Sequence, residues 1–295
     1  MPDSVKIAIH GKVFNEEVKP YIKKVVDFLI SANVELIVSQ LFADKFRKAF
    51  PEYSNFRIFK HLFESDNVDY LISLGGDGTL LEAVSYVGSI ETPILGINTG
   101  RLGFLATTPK SKIEKALSDL LSKNYKIDSR ALIRLETDSK VFGATPFALN
   151  EFAILKTDSS SMITVHTYVD GEYLNSYWAD GLIVATPTGS TGYSLSCGGP
   201  IILPHSNNFV ITPVSAHNLN VRPLIVSDQS VISFKIEGRS NKFLVSLDSK
   251  SHSVDSSIKM SVRKGDFKAK LITFDQMNYF DTLRQKLNWG LDLRN

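Results

Sequence analysis

The segment from Val68 to Val87 switches hydrophobic period at a cluster of glycines, and that switch restricts the fold more than any other feature of the chain. Val68-Asp69-Tyr70-Leu71-Ile72-Ser73-Leu74 has the length and composition of a buried strand. Leu80, Ala83, Val84 and Val87 then recur at i, i+3, i+4 and i+7, one face of a helix. Between them stand Gly75-Gly76-Asp77-Gly78-Thr79, which therefore form a strand-to-helix turn. Glycines there let the backbone turn tightly and approach a ligand, and the helix start offers N–H donors to an anion. An aspartate in such a phosphate cradle repels the anion that the amides attract. Asp77 reads as a base toward an attacking hydroxyl, as the partner of a metal, or as a solvated turn residue.

The surrounding pattern is α/β. Val5–Ile9, Val34–Val38 and Pro93–Asn98 are strand-like. Val18, Ile22, Val25, Val26, Leu29 and Ile30 mark a helix face, and Asp44–Phe50 is helical before Pro51. A further helix is expected with Thr108 as N-cap, Pro109 at its first position and Ile113, Ala116, Leu117, Leu120 and Leu121 on its apolar face. Such alternation implies a parallel sheet covered by helices, with ligands at the carboxyl ends of its strands. From Ala131 the pattern turns β-rich: 132–136, 147–155, 163–169, 182–185, 210–213, 231–236, 243–247, 258–262 and 268–274. Asp170-Gly171 and Gly265-Asp266 read as hairpin turns. Tyr279, Leu283 and Leu287 then share a helix face. The expected architecture is an α/β N-terminal domain (1–130) with a parallel sheet, an all-β C-terminal domain (131–275), and a terminal helix (276–295) returning to the first domain.

Composition removes several function classes. The net charge of +2 gives no global case for nucleic acid or an anionic membrane. The single cysteine, Cys197, forbids a disulfide within the chain and a cysteine-built zinc site. No apolar run approaches the roughly 18 residues of a membrane span. Met1-Pro2-Asp3-Ser4 leads into a strand without the basic and apolar regions of a signal peptide, so a cytoplasmic protein is expected.

A second cluster lies in the β-rich half. Asp180 to Pro200 holds a strand (182–185), then some twelve residues of Thr, Ser and Gly with Tyr193 among them. Its hydroxyls and backbone N–H groups suit ribose, phosphate and a planar base against Tyr193; a polar turn capping a helix is the alternative. Asn150-Glu151 interrupts the apolar run 147–155. Adjacent strand residues face opposite sides, so one of the pair points inward unless the strand ends there. A buried carboxylate needs partners, which ribose hydroxyls would supply.

Taken together, Gly75-to-Leu81, Gly96-Ile97-Asn98-Thr99-Gly100-Arg101-Leu102-Gly103-Phe104-Leu105, Leu149-Asn150-Glu151, the 180–200 stretch, Ser215-Ala216-His217 with Arg222-Pro223, and Arg284-to-Gly290 resemble the NAD kinases. The first motif alone is shared with diacylglycerol and sphingosine kinases and, more loosely, phosphofructokinases. The resemblance implies transfer of the γ-phosphoryl of ATP to the 2′-hydroxyl of the adenosine ribose of NAD. It makes Asp77 the catalytic base or orienting group and Gly75, Gly76, Gly78 and Thr79 the phosphate cradle. Asp77, Gly78, Asn150, Glu151, Asp180, Thr191, Gly192, Tyr193, Ser194, Leu195 and Ser196 become NAD contacts. Asp180 lies at the nicotinamide end, and Thr191, Tyr193, Ser194 and Ser196 on the adenine side. A divalent ion, usually Mg²⁺, is expected with ATP, although protein ligands for it are not evident. A homodimer or homotetramer formed by the second domain is also implied.

The chain departs from the family pattern at three positions. Trp178 stands where many relatives carry a basic residue, Gly192 replaces a common Ala, and Lys250 follows Asp248-Ser249 where a glutamine is common. Trp178 can stack but cannot pair with a phosphate. Cys197 reads as a pocket-wall or core residue. His217 reads as structural and His10-Gly11-Lys12 as a loop at the ligand-binding end of the sheet. Arg101 is open between ATP phosphates and the surface. Trp289 and Phe280 are expected to anchor the terminal helix. A lipid kinase and a non-catalytic NAD(P)-sensing module are the competing functions.

Overall fold

The computed structural model describes all residues except 1–4, 54–55, 101–102, 140, 144, 158–160, 275–277 and 290–295. The chain divides into two units, Met1–Ser129 with Ala269–Asn295, and Arg130–Lys268.

The first unit contains β1 (Lys6–Gly11), α1 (Lys19–Ser31), β2 (Glu35–Ser39), α2 (Gln40–Ala49), β3 (Arg57–Phe59), β4 (Tyr70–Leu74), α3 (Asp77–Val87), β5 (Ile94–Asn98), β6 (Thr108–Pro109) and α4 (Ile113–Leu121). Strands β3, β2, β1, β4 and β5 lie side by side in that order, all parallel. The order runs outward in both directions from the β1/β4 pair. In open α/β sheets such a reversal leaves a crevice at the carboxyl ends of the two strands, and ligands bind there. The glycine turn at 75–78 follows β4 at that crevice. Strands β1, β4 and β5 are buried almost throughout, as a parallel sheet requires. Ile7, Ile9, Ile72, Leu95 and Ile97 pack with Ile22, Val25, Val26 and Leu29 of α1, Phe42 and Phe46 of α2, and Ile113, Leu117 and Leu120 of α4.

Two details at the first unit's edges differ from expectation. Thr108 and Pro109 do not open a helix; they add a two-residue strand to β5, and a 3-10 turn (Lys110–Lys112) leads into α4. Proline fixes φ but equally suits an extended residue at the start of a strand. The closing helix α6 (Tyr279–Leu287) has Asn278 as its N-cap, whose side chain accepts the Phe280 N–H. It is anchored by buried Thr282 and Leu283, whereas Phe280 and Trp289 are about half exposed.

Strand β7 (Lys126–Thr137) carries the chain into the second unit. There follow β8 (Phe147–Ala148), β9 (Glu151–Lys156), β10 (Ile163–Val169), β11 (Glu172–Ala179), β12 (Gly181–Ala185), α5 (Tyr193–Ser196), β13 (Asn208–Val214), β14 (Leu224–Ser227), β15 (Ile232–Glu237), β16 (Lys242–Leu247), β17 (Lys250–Asp255) and β18 (Met260–Thr273). One antiparallel sheet has the order β14-β13-β12-β9-β16-β17. A second antiparallel run has the order β11-β10-β15-β18. Their facing side chains make one core, with Phe152 of β9 stacked on Phe234 of β15 at 5.3 Å. Strand alternation sorts the six-stranded sheet. Phe152, Ile154, Leu182, Val184, Phe209 and Ile211 enter that core, while Ala153, Ile183, Ala185 and Val210 pack on the opposite face with Ile202.

Of the two expected hairpins, Asp170-Gly171 forms, with both residues at positive φ between β10 and β11. Gly265-Asp266 does not: β18 runs straight through it. Asp266 is neutralised by Arg263 and Arg134, and Gly265 lets the strand lie close to Leu132 of β7. The run 147–155 is also not one strand. It breaks between Ala148 and Glu151, which places Asn150 at a corner.

Candidate active site

In the first unit the site is built around Asp77, the first residue of α3. Its Oδ1 accepts the N–H groups of Leu105 and Ala106, both at 3.0 Å, and its Oδ2 accepts that of Phe104 at 2.8 Å. Three consecutive amides thus hold the carboxylate, which explains how an aspartate is tolerated in an anion cradle. The contact demands small residues. A Cβ on Gly103 would collide with the Asp77 carboxylate, and one on Gly96 would meet Leu80 Cδ1 at 2.7 Å and Ala106 Cα at 3.0 Å. The 75–81 and 96–105 motifs are therefore two sides of one contact.

The cradle glycines divide into two kinds. A Cβ on Gly75 would collide with Thr79 Oγ1, and Gly75 N–H donates to Ile97 O at 3.0 Å. Thr79 is buried, so it shapes the turn from inside. Cβ atoms on Gly76 and Gly78 would meet nothing within 4 Å, so the surface there is open for a ligand to approach the backbone.

His10 and Gly11 belong to β1 rather than to a loop. The buried His10 ring bonds Ser39 Oγ through Nδ1 at 2.7 Å and Glu82 Oε2 through Nε2 at 3.2 Å. Lys12 Nζ lies 2.5 Å from Glu82 Oε1. The His10 hydrogen bond, helped by Lys12, pulls the Glu82 carboxyl down to about 2 against the opposing effect of burial. This chain of bonds ties α3, and Asp77 with it, to β1 and β2. Arg101 falls outside the described residues.

In the second unit the site is the corner at 149–151. Asp248, in the β16–β17 turn, accepts the N–H groups of Leu149 (2.8 Å), Asn150 (2.8 Å) and Glu151 (3.1 Å). Its own N–H donates to Glu151 O at 3.0 Å. Thr186 takes the other two carbonyls, Leu149 O through its hydroxyl (2.6 Å) and Asn150 O through its N–H (2.9 Å). Every backbone polar atom of the corner is thereby bonded. Gly189 packs against the Asn150 carbonyl with no room for a Cβ. A Cβ on Gly192 would lie 3.0 Å from Glu151 Oε2, an oxygen that is buried without a hydrogen-bond partner among the described residues. Burial, and secondarily the Asp248 charge, push the Glu151 carboxyl up to about 8, while the Tyr193 N–H works in the opposite direction.

The remaining expected residues fall into separate places. Thr191, Gly192 and Leu195 are half-buried, and Tyr193 and Ser196 are exposed beside that corner. Ser194 is fully buried, its hydroxyl 2.8 Å from that of Thr212, so it fastens α5 to β13. Asp180 pairs with Lys156 at 2.6 Å. Trp178 is half exposed and lies against the His217 ring, centroids 4.2 Å apart. Burial pushes the Cys197 thiol up, in keeping with a wall residue. Lys250 donates to Thr145 Oγ1 at 3.0 Å. Sequence reasoning missed the roles of Asp248, Thr186 and Glu82. The local signal for Asp248 was its place in Asp248-Ser249 just after the apolar run 243–247, which the structure makes a turn with Asp248 at φ +51°.

A parallel sheet with an open glycine turn at its switch point, and an aspartate fixed beside it, suit a protein that binds a phosphate-bearing ligand there. Residues 7–125 match the family model for the ATP-NAD kinase N-terminal domain, and residues 149–274 the model for the C-terminal domain. The chain is 53% identical over 291 residues to the NAD kinase of Cytophaga hutchinsonii, covering 98% of this chain and 99% of that protein. It is 43% identical over 294 residues to the NAD kinase of Flavobacterium johnsoniae, covering 99% and 100%. An NAD kinase from Archaeoglobus fulgidus in complex with ATP superposes with a TM-score of 0.76 at 27% identity, covering 96% and 99%. Yeast NADH kinase complexed with NADH shares the fold, with a TM-score of 0.87 at 24% identity over 100% of this chain and 90% of that one. The chain belongs to the NAD kinase family, and the lipid-kinase alternative falls away.

Proposed function

We propose that the chain transfers the γ-phosphoryl group of ATP to the 2′-hydroxyl of the adenosine ribose of NAD, giving NADP and ADP. The observation that carries the residue assignment is the Asp77 carboxylate. A carboxylate has about four acceptor positions. Among the described residues three are taken by amides, two on Oδ1 and one on Oδ2. The position left on Oδ2 is fixed in direction, as a base for one hydroxyl must be. In the reaction the 2′-oxygen bonds to the γ-phosphorus, the bond from that phosphorus to the β–γ bridging oxygen breaks, and the hydroxyl proton passes to Asp77 Oδ2. Catalysis of this kind is mostly positioning and charge neutralisation.

Gly76 and Gly78 supply the open backbone of the phosphate cradle, with Gly75 and Thr79 shaping its turn from within. Asn150 and Glu151 hold NAD through adenine and ribose, Asp180 serves the nicotinamide end, and Thr191, Gly192, Tyr193, Leu195 and Ser196 line the adenine side. Ser194 positions that loop through Thr212. Among the described residues no group of three or more His, Cys, Asp or Glu side chains forms a metal cage. A divalent ion, Mg²⁺, would accompany the ATP phosphates and neutralise their charge. The second unit mediates assembly into a homodimer or homotetramer, and the protein works in the cytoplasm. Among the described residues no helix is long and apolar enough to cross a membrane.

The test is to supply γ-labelled ATP, Mg²⁺ and NAD and to identify the labelled product with a dehydrogenase that accepts NADP alone. Label in a product that the dehydrogenase reduces supports the proposal. Label in another product, or none, contradicts it.

A further inference from the structure

The corner at 149–151 leaves one carboxyl in an unusual state, and the inference drawn from it rests on the proposal that Asn150 and Glu151 hold NAD. Among the described residues Glu151 Oε2 is buried without a partner, and the missing Cβ of Gly192 keeps space open beside it. An ionised oxygen stranded there is costly, whereas a protonated one needs only an acceptor. The groups facing Glu151 are Asp248 from the β16–β17 turn and Tyr193 from α5, with Cys197 and Asp180 acting on Tyr193 and Lys250 on Asp248. Tyr193 and Cys197 are both pushed up by burial, so neither contributes charge near neutrality. Asp248 is half-buried, and three amides favour its charged form.

We infer that Glu151 meets the nucleotide as a neutral carboxyl, a hydrogen-bond donor to a ring nitrogen or ribose oxygen, and that Asp248 is the positioning residue that holds it there and keeps the proton on it. The pair then divides its roles by environment, as two neighbouring carboxyls with separated proton affinities do. Asp248, pushed up by burial only to about 6 because the amides oppose it, carries the charge. Glu151, pushed up to about 8, carries the proton. Donor geometry at Glu151 complements Asn150, whose amide can both donate and accept.

The experiment is calorimetric titration of the full chain with NAD alone, from about pH 6 to about pH 9.5, where NAD itself does not ionise. Wild-type affinity is expected to be level up to about pH 8 and then to fall about tenfold per pH unit. Glu151→Gln keeps a donor without a titrating proton. It should show no fall in affinity at high pH, whatever its affinity near pH 7. Asp248→Asn removes the neighbouring charge and should move the break to lower pH. Thr186→Val loosens the same corner without touching charge, and should weaken NAD equally at every pH. Infrared difference spectra of wild type against Glu151→Gln give a second readout that does not depend on the Asp248 variant folding: a protonated carboxyl band near neutrality that vanishes above about pH 8. Tight wild-type binding that stays level to the highest pH, absence of that band, or a Glu151→Gln variant that keeps the wild-type fall at high pH would overturn the neutral carboxyl while leaving the proposed function standing. A break that Asp248→Asn does not move would remove Asp248 from the account. Absence of NAD binding at any pH would overturn this inference and the proposed function together.

Discussion

Around Asp77, neighbouring glycines serve different ends, and substitution separates them. Gly103→Ala would push a methyl into the Asp77 carboxylate. Displacement of a reacting group by about 1 Å costs on the order of 100-fold in rate, and a loss of that size in kcat with little change in the NAD Kd is expected from steady-state and binding assays. Gly76→Ala meets nothing within 4 Å. It should leave the unfolding free energy nearly unchanged, within about 0.5 kcal/mol, while raising the KM for ATP because the methyl occupies the ligand's approach. A Gly76→Ala variant with unaltered ATP kinetics would remove that glycine from the cradle. The Glu82 carboxyl, held down to about 2 by His10 and Lys12, makes a pH-dependent contribution. Its folded-state value lies below its ordinary one of 4.5, so the stabilisation is present above about pH 4.5 and fades as pH falls toward 2. Denaturant unfolding of wild type and Glu82→Gln should therefore differ near neutrality and converge in acid.

At the scale of elements, the sequence was most legible where a segment is buried on a regular period. Strands β1, β4 and β5 and helices α1, α3 and α4 lie within a few residues of the apolar patterns that mark them. Strands β11, β14 and β17 escaped notice because each is the outer strand of its sheet, with mostly exposed or partly exposed side chains and no apolar alternation to read. Turn residues misled once and guided once. Asp170-Gly171 makes its hairpin because both residues adopt positive φ. Gly171→Ala, at φ +84°, should destabilise the protein by about 1–2 kcal/mol in thermal or urea unfolding. At Gly265-Asp266 the same letters serve close strand packing and an arginine-bound carboxylate, contacts made across strands that no local pattern displays.

Over the whole molecule, each unit gathers its proposed functional residues at breaks in a well-packed sheet: the end of β4 in the first, the β8–β9 corner in the second. The motifs announced Asp77, Asn150 and Glu151. They did not announce Asp248, which is about 98 residues away in sequence and is brought to the corner only by the pairing of β16 with β9. Nor did they separate Ser194, turned into the core, from Tyr193, turned outward. Removing the Phe152 ring next to that corner should cost about 3–5 kcal/mol on substitution to Ala, seen as a large fall in melting temperature, since the ring is fully buried and stacked on Phe234. The most direct measurement of the central claim compares NADP formation from NAD, ATP and Mg²⁺ by wild type and Asp77→Asn, with NAD binding measured on both. The expected result is turnover by wild type, a loss of about 100- to 10,000-fold in kcat for the variant, and NAD affinity within a few-fold of wild type. An Asp77→Asn enzyme that retains most of its kcat would contradict the assignment of Asp77 as the group that takes the 2′-hydroxyl proton.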